Sequence, residues 1–265
     1  MPETSALGQF LRARRSRVQP ADMGLPAGGR RRVAGLRREE VAVLAGISTD
    51  YYVRLEQGRE DNPSDQVLEA IGRALQLDEQ AVAYMRNLTH RDDARVDSFQ
   101  QLHPAIQVLI DSWPLTIGHV VDPGLTVVAA NKLATAFSPH YSVGANTLRA
   151  LFVEPDMRHF HRNWKPLTAW AVPLIRALYG QHPDPALLSL VTELHDTSPR
   201  FRQLWARHDV RQVAAGVMLV NHPRVGPLDL NYQQMMLPST GHWLVAYWAD
   251  AGSASEAGLR RLVTL

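Results

Sequence analysis

Residues 38–58 carry the pattern that most restricts how this chain folds. Two short helices there are joined by a minimal turn at Gly46, and a steep helix crossing with so short a turn needs small residues. Ala42 supplies a small contact residue, and Gly46 supplies a residue that readily takes positive φ. The side chains predicted to face inward are Val41, Leu44, Ile47, Tyr52 and Leu55. The second helix is therefore predicted to present a polar outer face.

The segment LRREEVAVLAGIS, followed by DYYVRLEQGR, resembles the Xre type of helix-turn-helix, the Cro and lambda-repressor-like DNA-binding domains. In that resemblance the second helix of the pair enters the DNA major groove. Thr49, Asp50 and Arg54 are the predicted base contacts, since arginine can pair bidentately with guanine. Asp50 has an alternative role in capping the helix start, because its carboxylate repels phosphate. The other predicted DNA-binding residues are Arg37, Arg38, Ser48, Tyr51 and Arg59.

Nine arginines and one acid, Asp22, lie between residues 12 and 38. Such a block can neutralise phosphates and release counterions, although a solvated loop whose charge only aids solubility is the alternative. The helix pair that follows the block favours DNA binding. Further clamping of the DNA backbone is predicted from Arg14, Arg15, Arg30, Arg31 and Arg32.

Helical periodicity predicts five short helices in about the first ninety residues. The first covers about 5–17 and the second 36–45; Ser48, Ser64 and Asp78 are placed to begin the next three. We therefore predict a compact five-helix DNA-binding domain of residues 1–92. The polar stretch 90–98 is the predicted linker.

After residue 100 the pattern changes to mixed strands and helices. Two strand-like segments, 115–121 and 125–130, are joined by the turn Asp122-Pro123-Gly124. A mostly helical middle extends to about residue 208. Three strands and a helix are then predicted at 212–220, 228–237, 243–249 and 255–262. This order predicts one antiparallel sheet with helices on one face, in a second domain of residues 100–265.

A second resemblance covers most of this half. It rests on LRALFVEP at 148–155, Asn163-Trp164, SPRF at 198–201, LWARHDV at 204–210 and HPRVGPLDL at 222–230. Together these resemble the MmyB-like ligand-binding domain, a PAS-like fold that follows an Xre-type head in many bacterial regulators. The resemblance implies a small apolar effector, a fatty acid or acyl compound, bound in the C-terminal domain.

The aromatic and apolar residues of this half supply the predicted ligand contacts, although core packing is the alternative for each one. They are Trp113, Phe137, Phe152, Trp164, Trp170, Leu174, Phe201, Trp205 and Met218. One departure from the family pattern is Ala129-Ala130-Asn131, where the family usually carries Trp-Asn after the second strand. We expect this change to enlarge or reshape the ligand cavity.

Composition and motifs exclude several function classes. The chain has no cysteine, which removes disulfides, thiolate chemistry and cysteine-based metal sites. Neither a secretory signal nor an apolar run long enough to span a bilayer is found, so no membrane partner is predicted and a cytoplasmic, nucleoid-associated protein is expected. His159 and His161 diverge on a helix and make a poor metal pair. No metal, no other cofactor and no catalytic residue are predicted.

The sequence therefore predicts a homodimeric transcription regulator, usually a repressor for this head type. It would bind a double-stranded DNA operator under the control of a small apolar ligand. One alternative is a C-terminal domain that serves only dimerisation. Another is an enzyme fused to a DNA-binding head, which no motif supports.

Overall fold

The computed structural model describes residues 5–25, 35–60, 62–89, 102–181, 184–211, 215–237 and 240–264. The chain divides into two compact units. The first unit contains Met1–Asp93 together with Pro173–His182 and Leu204–Gln212, and the second contains the remainder. The predicted domain boundaries at 92 and 100, and the predicted linker, lie outside the described residues.

The predicted five-helix N-terminal region is confirmed. Its helices are α1 (Ala6–Arg15), α2 (Arg38–Ala45), α3 (Thr49–Glu56), α4 (Asp65–Ala74) and α5 (Glu79–Thr89). Their apolar faces meet in one core, whose fully buried members include Phe10, Leu11, Tyr52, Leu55, Leu68, Ile71 and Met85. Ala177 and Val210 join the same core from the C-terminal part of the sequence.

The helix ends follow local sequence signals. Ser48 Oγ accepts from the backbone N–H of Tyr51 at 3.1 Å and so caps α3. Asp78 Oδ1 accepts from the N–H of Ala81 at 2.8 Å at the start of α5. Gly46 ends α2 with φ 66°, in the left-handed region that the short turn requires.

The second unit contains a five-stranded antiparallel sheet. Its strands are β1 (Ile117–Val121), β2 (Val127–Ala130), β3 (Ala215–His222), β4 (Gly226–Met236) and β5 (Trp243–Trp248). They lie in the order β2-β1-β5-β4-β3, so the two N-terminal strands form one edge and join the C-terminal three through β1 and β5. The five strands predicted from the sequence are confirmed.

Eight further helices complete the thirteen α-helices found among the described residues. They are α6 (Pro104–Asp111), α7 (Lys132–Phe137), α8 (Thr147–Val153), α9 (Met157–Phe160), α10 (Trp164–Gln181), α11 (Pro185–Thr197), α12 (Pro199–Trp205) and α13 (Ala254–Val263). Within the described ranges, every helix is too short or too polar to cross a bilayer. Helix α10 contributes residues to both units, which divide at Pro173.

Helices cover both faces of the sheet, so the expectation of one covered face was wrong. Helices α7 and α13 pack on the face that carries Ile117, Val245 and Leu230. On the opposite face, Ile110 of α6 packs against Val120 and Leu244. Alternate residues of β1 are therefore buried against different helices, which explains why all five of its residues are buried.

Candidate functional site

The N-terminal end of α3 presents an exposed polar face. Thr49, Asp50 and Arg54 are exposed, whereas Tyr52 and Leu55 on the other side of the helix are fully buried. The guanidinium carbon of Arg54 lies 5.7 Å from the centre of the Tyr51 ring. Arg54 Nε is 4.0 Å from Glu60, an exposed pairing worth little in water. The predicted base contacts therefore share one accessible face of one helix.

Asp50 does not cap α3, because the Ser48 hydroxyl already accepts the hydrogen bond from Tyr51 N–H. The Asp50 carboxylate lies instead in the first turn, where the helix dipole favours negative charge. Its predicted contact with a base stays a prediction.

Arginines predicted to contact phosphate lie at both ends of this helix pair. Arg37 is exposed at the start of α2, where its backbone N–H donates to Glu40 at 2.7 Å. Arg59 is exposed just after α3. Arg38 differs from both, because its Nε donates to Glu56 at 3.0 Å and its side chain is only 37% exposed. Part of its charge is already neutralised inside the unit.

Glu56 joins α1, α2 and α3 through buried charge. Its carboxylate is fully buried and accepts from Arg15 Nη2 at 2.8 Å, with Arg38 and Arg12 on the same group. Burial alone would raise the pKa of Glu56, but the hydrogen bonds from Arg15 and Arg38 outweigh it and lower the pKa. Arg15 is buried and also donates to the Leu36 carbonyl at 2.7 Å. The expectation that Arg15 clamps DNA was therefore wrong.

Asp209 pairs with two more arginines, Arg14 in α1 and Arg17 just after the end of that helix. Arg14 Nη1 lies 3.5 Å from its carboxylate, and Arg17 also donates to it. Arg17 donates to the carbonyl of Arg207 at 2.9 Å as well. The Arg14 side chain is only 16% exposed, so its predicted backbone clamp was also wrong. Arg30, Arg31 and Arg32 lie outside the described residues.

Arg176 links the two C-terminal segments of the first unit, residues 173–182 and 204–212. It is buried, its guanidinium carbon lies 3.8 Å from the Trp205 ring centre, and it donates to the Trp205 carbonyl. Its Nη1 is 3.3 Å from His208 Nδ1. Burial, with help from neighbouring Arg176, lowers the pKa of His208 to about 4, so this imidazole is neutral near pH 7.

An aromatic cluster fills the helix-covered interior of the second unit. Edge-on and stacked ring contacts at 5.0–6.2 Å join its members. We define the aromatic cluster as His119, Phe137, Tyr141, Phe160, Trp170, Met218, His222, Tyr232 and Tyr247. Three of the predicted ligand contacts, Phe137, Trp170 and Met218, belong to it.

The other six predicted ligand contacts lie elsewhere. Phe152 and Phe201 form a separate edge-on pair at 5.2 Å, and Trp164 donates to the Leu151 carbonyl at 2.8 Å. Trp113 packs with α6 on the opposite sheet face. Leu174 and Trp205 belong to the first unit. Sequence spacing could not separate these positions, because each is apolar for its own packing reason.

Two regions of the chain match known protein domain families. Residues 102–262 match the MmyB-like transcription regulator ligand binding domain. The chain belongs to this MmyB-like family. Residues 6–85 match a helix-turn-helix domain, and no curated protein matches the chain. These are the domains of a DNA-binding transcription regulator modulated by a ligand, as the sequence predicts.

The MmyB-like match contains more than the ligand domain's own compact unit. It includes Pro173–His182 and Leu204–Gln212, which pack with the helix-turn-helix unit. Asp209 and Arg176 therefore come from the MmyB-like sequence and bind within the first unit. Neither residue was predicted to be functional, because nothing local in the sequence marks a charge whose partner is far along the chain.

The family departure lies beside the aromatic cluster. Ala130 is the cross-strand partner of His119, so both side chains are on the same face. The next residue, Asn131, is buried, accepts from Gly118 and Ala134, and donates to the carbonyls of Ile110 and Thr116. A methyl group thus stands where a larger side chain would meet His119.

Two buried histidines were not identified as candidates for ligand contact. His161 is 3% exposed and its Nδ1 has no partner. His119 is 2% exposed, and its Nδ1 also has no partner. The sequence signal that could have identified His119 is its position as a single histidine inside the apolar segment of β1. In the described part of the chain, no group of three acidic or histidine residues could hold a metal.

Proposed function

We propose that this protein is a homodimeric repressor that binds a two-fold operator and is controlled by a small apolar ligand. The ligand is a fatty acid or another acyl compound held in the aromatic cluster. The proposal extends the ligand-modulated DNA-binding regulator established above.

The observation that carries the proposal is the exposed face of α3. Thr49, Asp50 and Arg54 are accessible there, while Tyr52 and Glu56 fix the helix from behind. A helix supported in this way can enter the major groove without rearranging its own core. Arg37 and Arg59 flank it with exposed positive charge suited to phosphate.

Helix α10 supports the control of this face by a ligand. Its N-terminal half carries Trp170, whose ring lies edge-on to Tyr232 at 5.7 Å in the aromatic cluster. Its C-terminal half carries Arg176 and Ala177, which are buried in the first unit. A ligand that binds more tightly to one position of Trp170 than to another would therefore shift the population of positions of the C-terminal half of α10, which packs in the core of the first unit.

The DNA-binding part is tested by selecting an operator from random duplex DNA and titrating it by fluorescence anisotropy. Arg54→Ala should weaken binding by about 1–3 kcal/mol and relax base choice at one position in each half-site. Arg73→Ala, on the exposed side of α4, is the matched control and should bind as the unaltered protein does. If the Arg54→Ala variant binds the operator with the same affinity as the unaltered protein, and binds scrambled DNA with the same affinity as well, the assignment of Arg54 as a base contact is refuted.

The oligomer and the ligand are tested by native mass spectrometry of freshly purified protein, followed by denaturing extraction. A dimer that releases an apolar compound, whose addition changes operator affinity, would support the whole proposal. A dimer without ligand, insensitive to every extracted compound, would favour the alternative in which the C-terminal domain serves only dimerisation.

A further inference from the structure

The end of α1 lies against the start of α2. The Leu36 N–H donates to the Arg15 carbonyl at 3.1 Å, and a Cβ added at Gly35 would lie only 2.3 Å from that oxygen. The two backbones therefore approach so closely that only glycine fits at position 35. Arg17 lies two residues after Arg15, and Arg37 lies one residue after Leu36. Both arginines thus extend from the same junction between the two helices.

The two arginines of this junction differ in what is predicted for them. Arg37 is 45% exposed and is a predicted phosphate contact, whereas Arg17 is 49% exposed and has no predicted role. The residue after Arg17, Val18, is buried in the core of the first unit, so the backbone that carries Arg17 is held in place. An exposed arginine at a fixed position beside a phosphate contact suits the flanking phosphate of the same DNA backbone.

Arg17 already has a partner from far along the chain. Its guanidinium donates to the Asp209 carboxylate and to the Arg207 carbonyl, the latter at 2.9 Å. Arg14 lies 3.5 Å from the same carboxylate. Asp209 is in the segment 204–212, which packs in the first unit although it belongs to the MmyB-like match. The sequence of the ligand-binding domain therefore supplies the acid that pairs with Arg17.

This pairing reduces the positive charge that the junction offers to DNA. An arginine whose charge is compensated by a carboxylate releases no counterion from DNA. The Asp209 side chain is itself 33% exposed and repels a phosphate that approaches Arg17. Exposed ion pairs are weak, so the restraint amounts to at most about five-fold in DNA affinity. A restraint of this size tunes DNA binding without preventing it.

We propose that Arg17 is a DNA phosphate contact that Asp209 holds out of use. This inference rests on the proposed DNA-binding function and adds a restraining contact to it. Removal or movement of the Asp209 carboxylate frees the Arg17 guanidinium, whose N–H groups then donate to phosphate oxygens. The gain in affinity is independent of base sequence, because phosphate contacts position the protein and base contacts specify the site.

The test measures binding of the full-length protein to a random-sequence duplex by fluorescence anisotropy over a series of salt concentrations. Asp209→Asn should bind about two- to five-fold more tightly at low salt. Its plot of log affinity against log salt should steepen by about 0.9 per protomer, the counterion release of one additional phosphate contact. Asp209→Glu, which keeps the charge, should bind as the unaltered protein does. Asp209→Ala provides the same comparison if the asparagine variant does not fold.

A double substitution assigns the gain to Arg17. Arg17→Ala alone should change the affinity less than about two-fold, because the charge that it removes is already paired. In the Asp209→Asn background, Arg17→Ala should abolish both the gain in affinity and the steeper salt dependence. Glu69→Gln is the matched control, because it also removes an acid that pairs with an exposed arginine of the first unit, Arg86. The control should leave the salt dependence unchanged.

Three outcomes would overturn the proposal while leaving operator binding intact. Asp209→Asn could gain no more affinity than Glu69→Gln, which would show that the pair does not restrain DNA binding. A gain that survives Arg17→Ala would belong to the lost carboxylate alone. A loss in Arg17→Ala as large as the gain in Asp209→Asn would show that Arg17 contacts DNA without release. Unaltered protein that binds neither the random duplex nor a selected operator would refute the proposed function as well.

Discussion

Replacing Glu56 by Gln should destabilise the helix-turn-helix unit more than any exposed charge change. The carboxylate is fully buried, and its main partner Arg15 has a side chain only 10% exposed. Removing one partner of a buried ion pair typically costs about 3–5 kcal/mol, because the other charge is left uncompensated. Arg38 and Arg12 are 37% and 55% exposed and can regain water. Glutamine can still accept one hydrogen bond, so we expect the lower end, about 3 kcal/mol.

The assay is thermal unfolding followed by far-UV circular dichroism. For a unit of this size, about 4 °C is lost per kcal/mol, which predicts a fall of about 12 °C. Glu69→Gln is the matched control, because Glu69 pairs with Arg86 at 2.6 Å but is 50% exposed. A surface pair of this kind contributes about 0–1 kcal/mol.

The pH dependence gives a second readout. Because the folded-state pKa of Glu56 lies below its ordinary value of 4.5, its stabilisation is present above that value. The contribution is lost as the pH falls through the folded-state pKa. Glu56→Gln should remove this part of the acid sensitivity. If Glu56→Gln has the same melting temperature as the Glu69→Gln control, or keeps the full acid sensitivity of the unaltered protein, the buried ion-pair argument is refuted.

Three further changes test other parts of the structure by the same unfolding assay. Gly46→Ala should cost about 1–2 kcal/mol from its φ of 66° alone, since an added Cβ meets no atom within 4 Å; an unchanged melting temperature would contradict the left-handed turn. Asn131→Ala should lower the free energy of unfolding by about 2–4 kcal/mol, because it leaves buried backbone groups of Gly118 and Ile110 unpaired. A smaller loss of stability than in the comparison variant Asn163→Ala would contradict that role of Asn131. Asp209→Asn should cost about 1 kcal/mol and speed hydrogen exchange in α1, whereas unchanged exchange would show that Asp209 does not anchor it.

Local sequence signals determined most of the helices and strands. Apolar spacing, Ser48 at a helix start and Gly46 at a turn act within one or two helical turns, so they are readable without a fold. The strand-like segments at 115–121 and 125–130 and the turn at Asp122 likewise placed β1 and β2. Helix α6 was missed, although Pro104 begins it, because its short apolar run is compatible with several structures.

Only the tertiary structure decided which charges stay inside the protein. The sequence gives Arg15, Arg38 and Arg54 the same chemistry, yet Glu56 takes the first two, and Arg54 remains exposed. Such pairings depend on residues far apart in the chain, which no local periodicity encodes.

The same reason applies to the aromatic cluster. Sequence composition identified an aromatic C-terminal half, but the contacts that group Phe137 with His119 and Tyr141 cross strands and helices. No local sequence signal marks the segments at 173–182 and 204–212 as part of the DNA-binding unit, and only long-range packing assigns them to it. The sequence by itself therefore determined most of the helices and strands and indicated the family. Burial, set by the complete fold, determined which arginines remain exposed and placed the His119 imidazole inside the aromatic cluster.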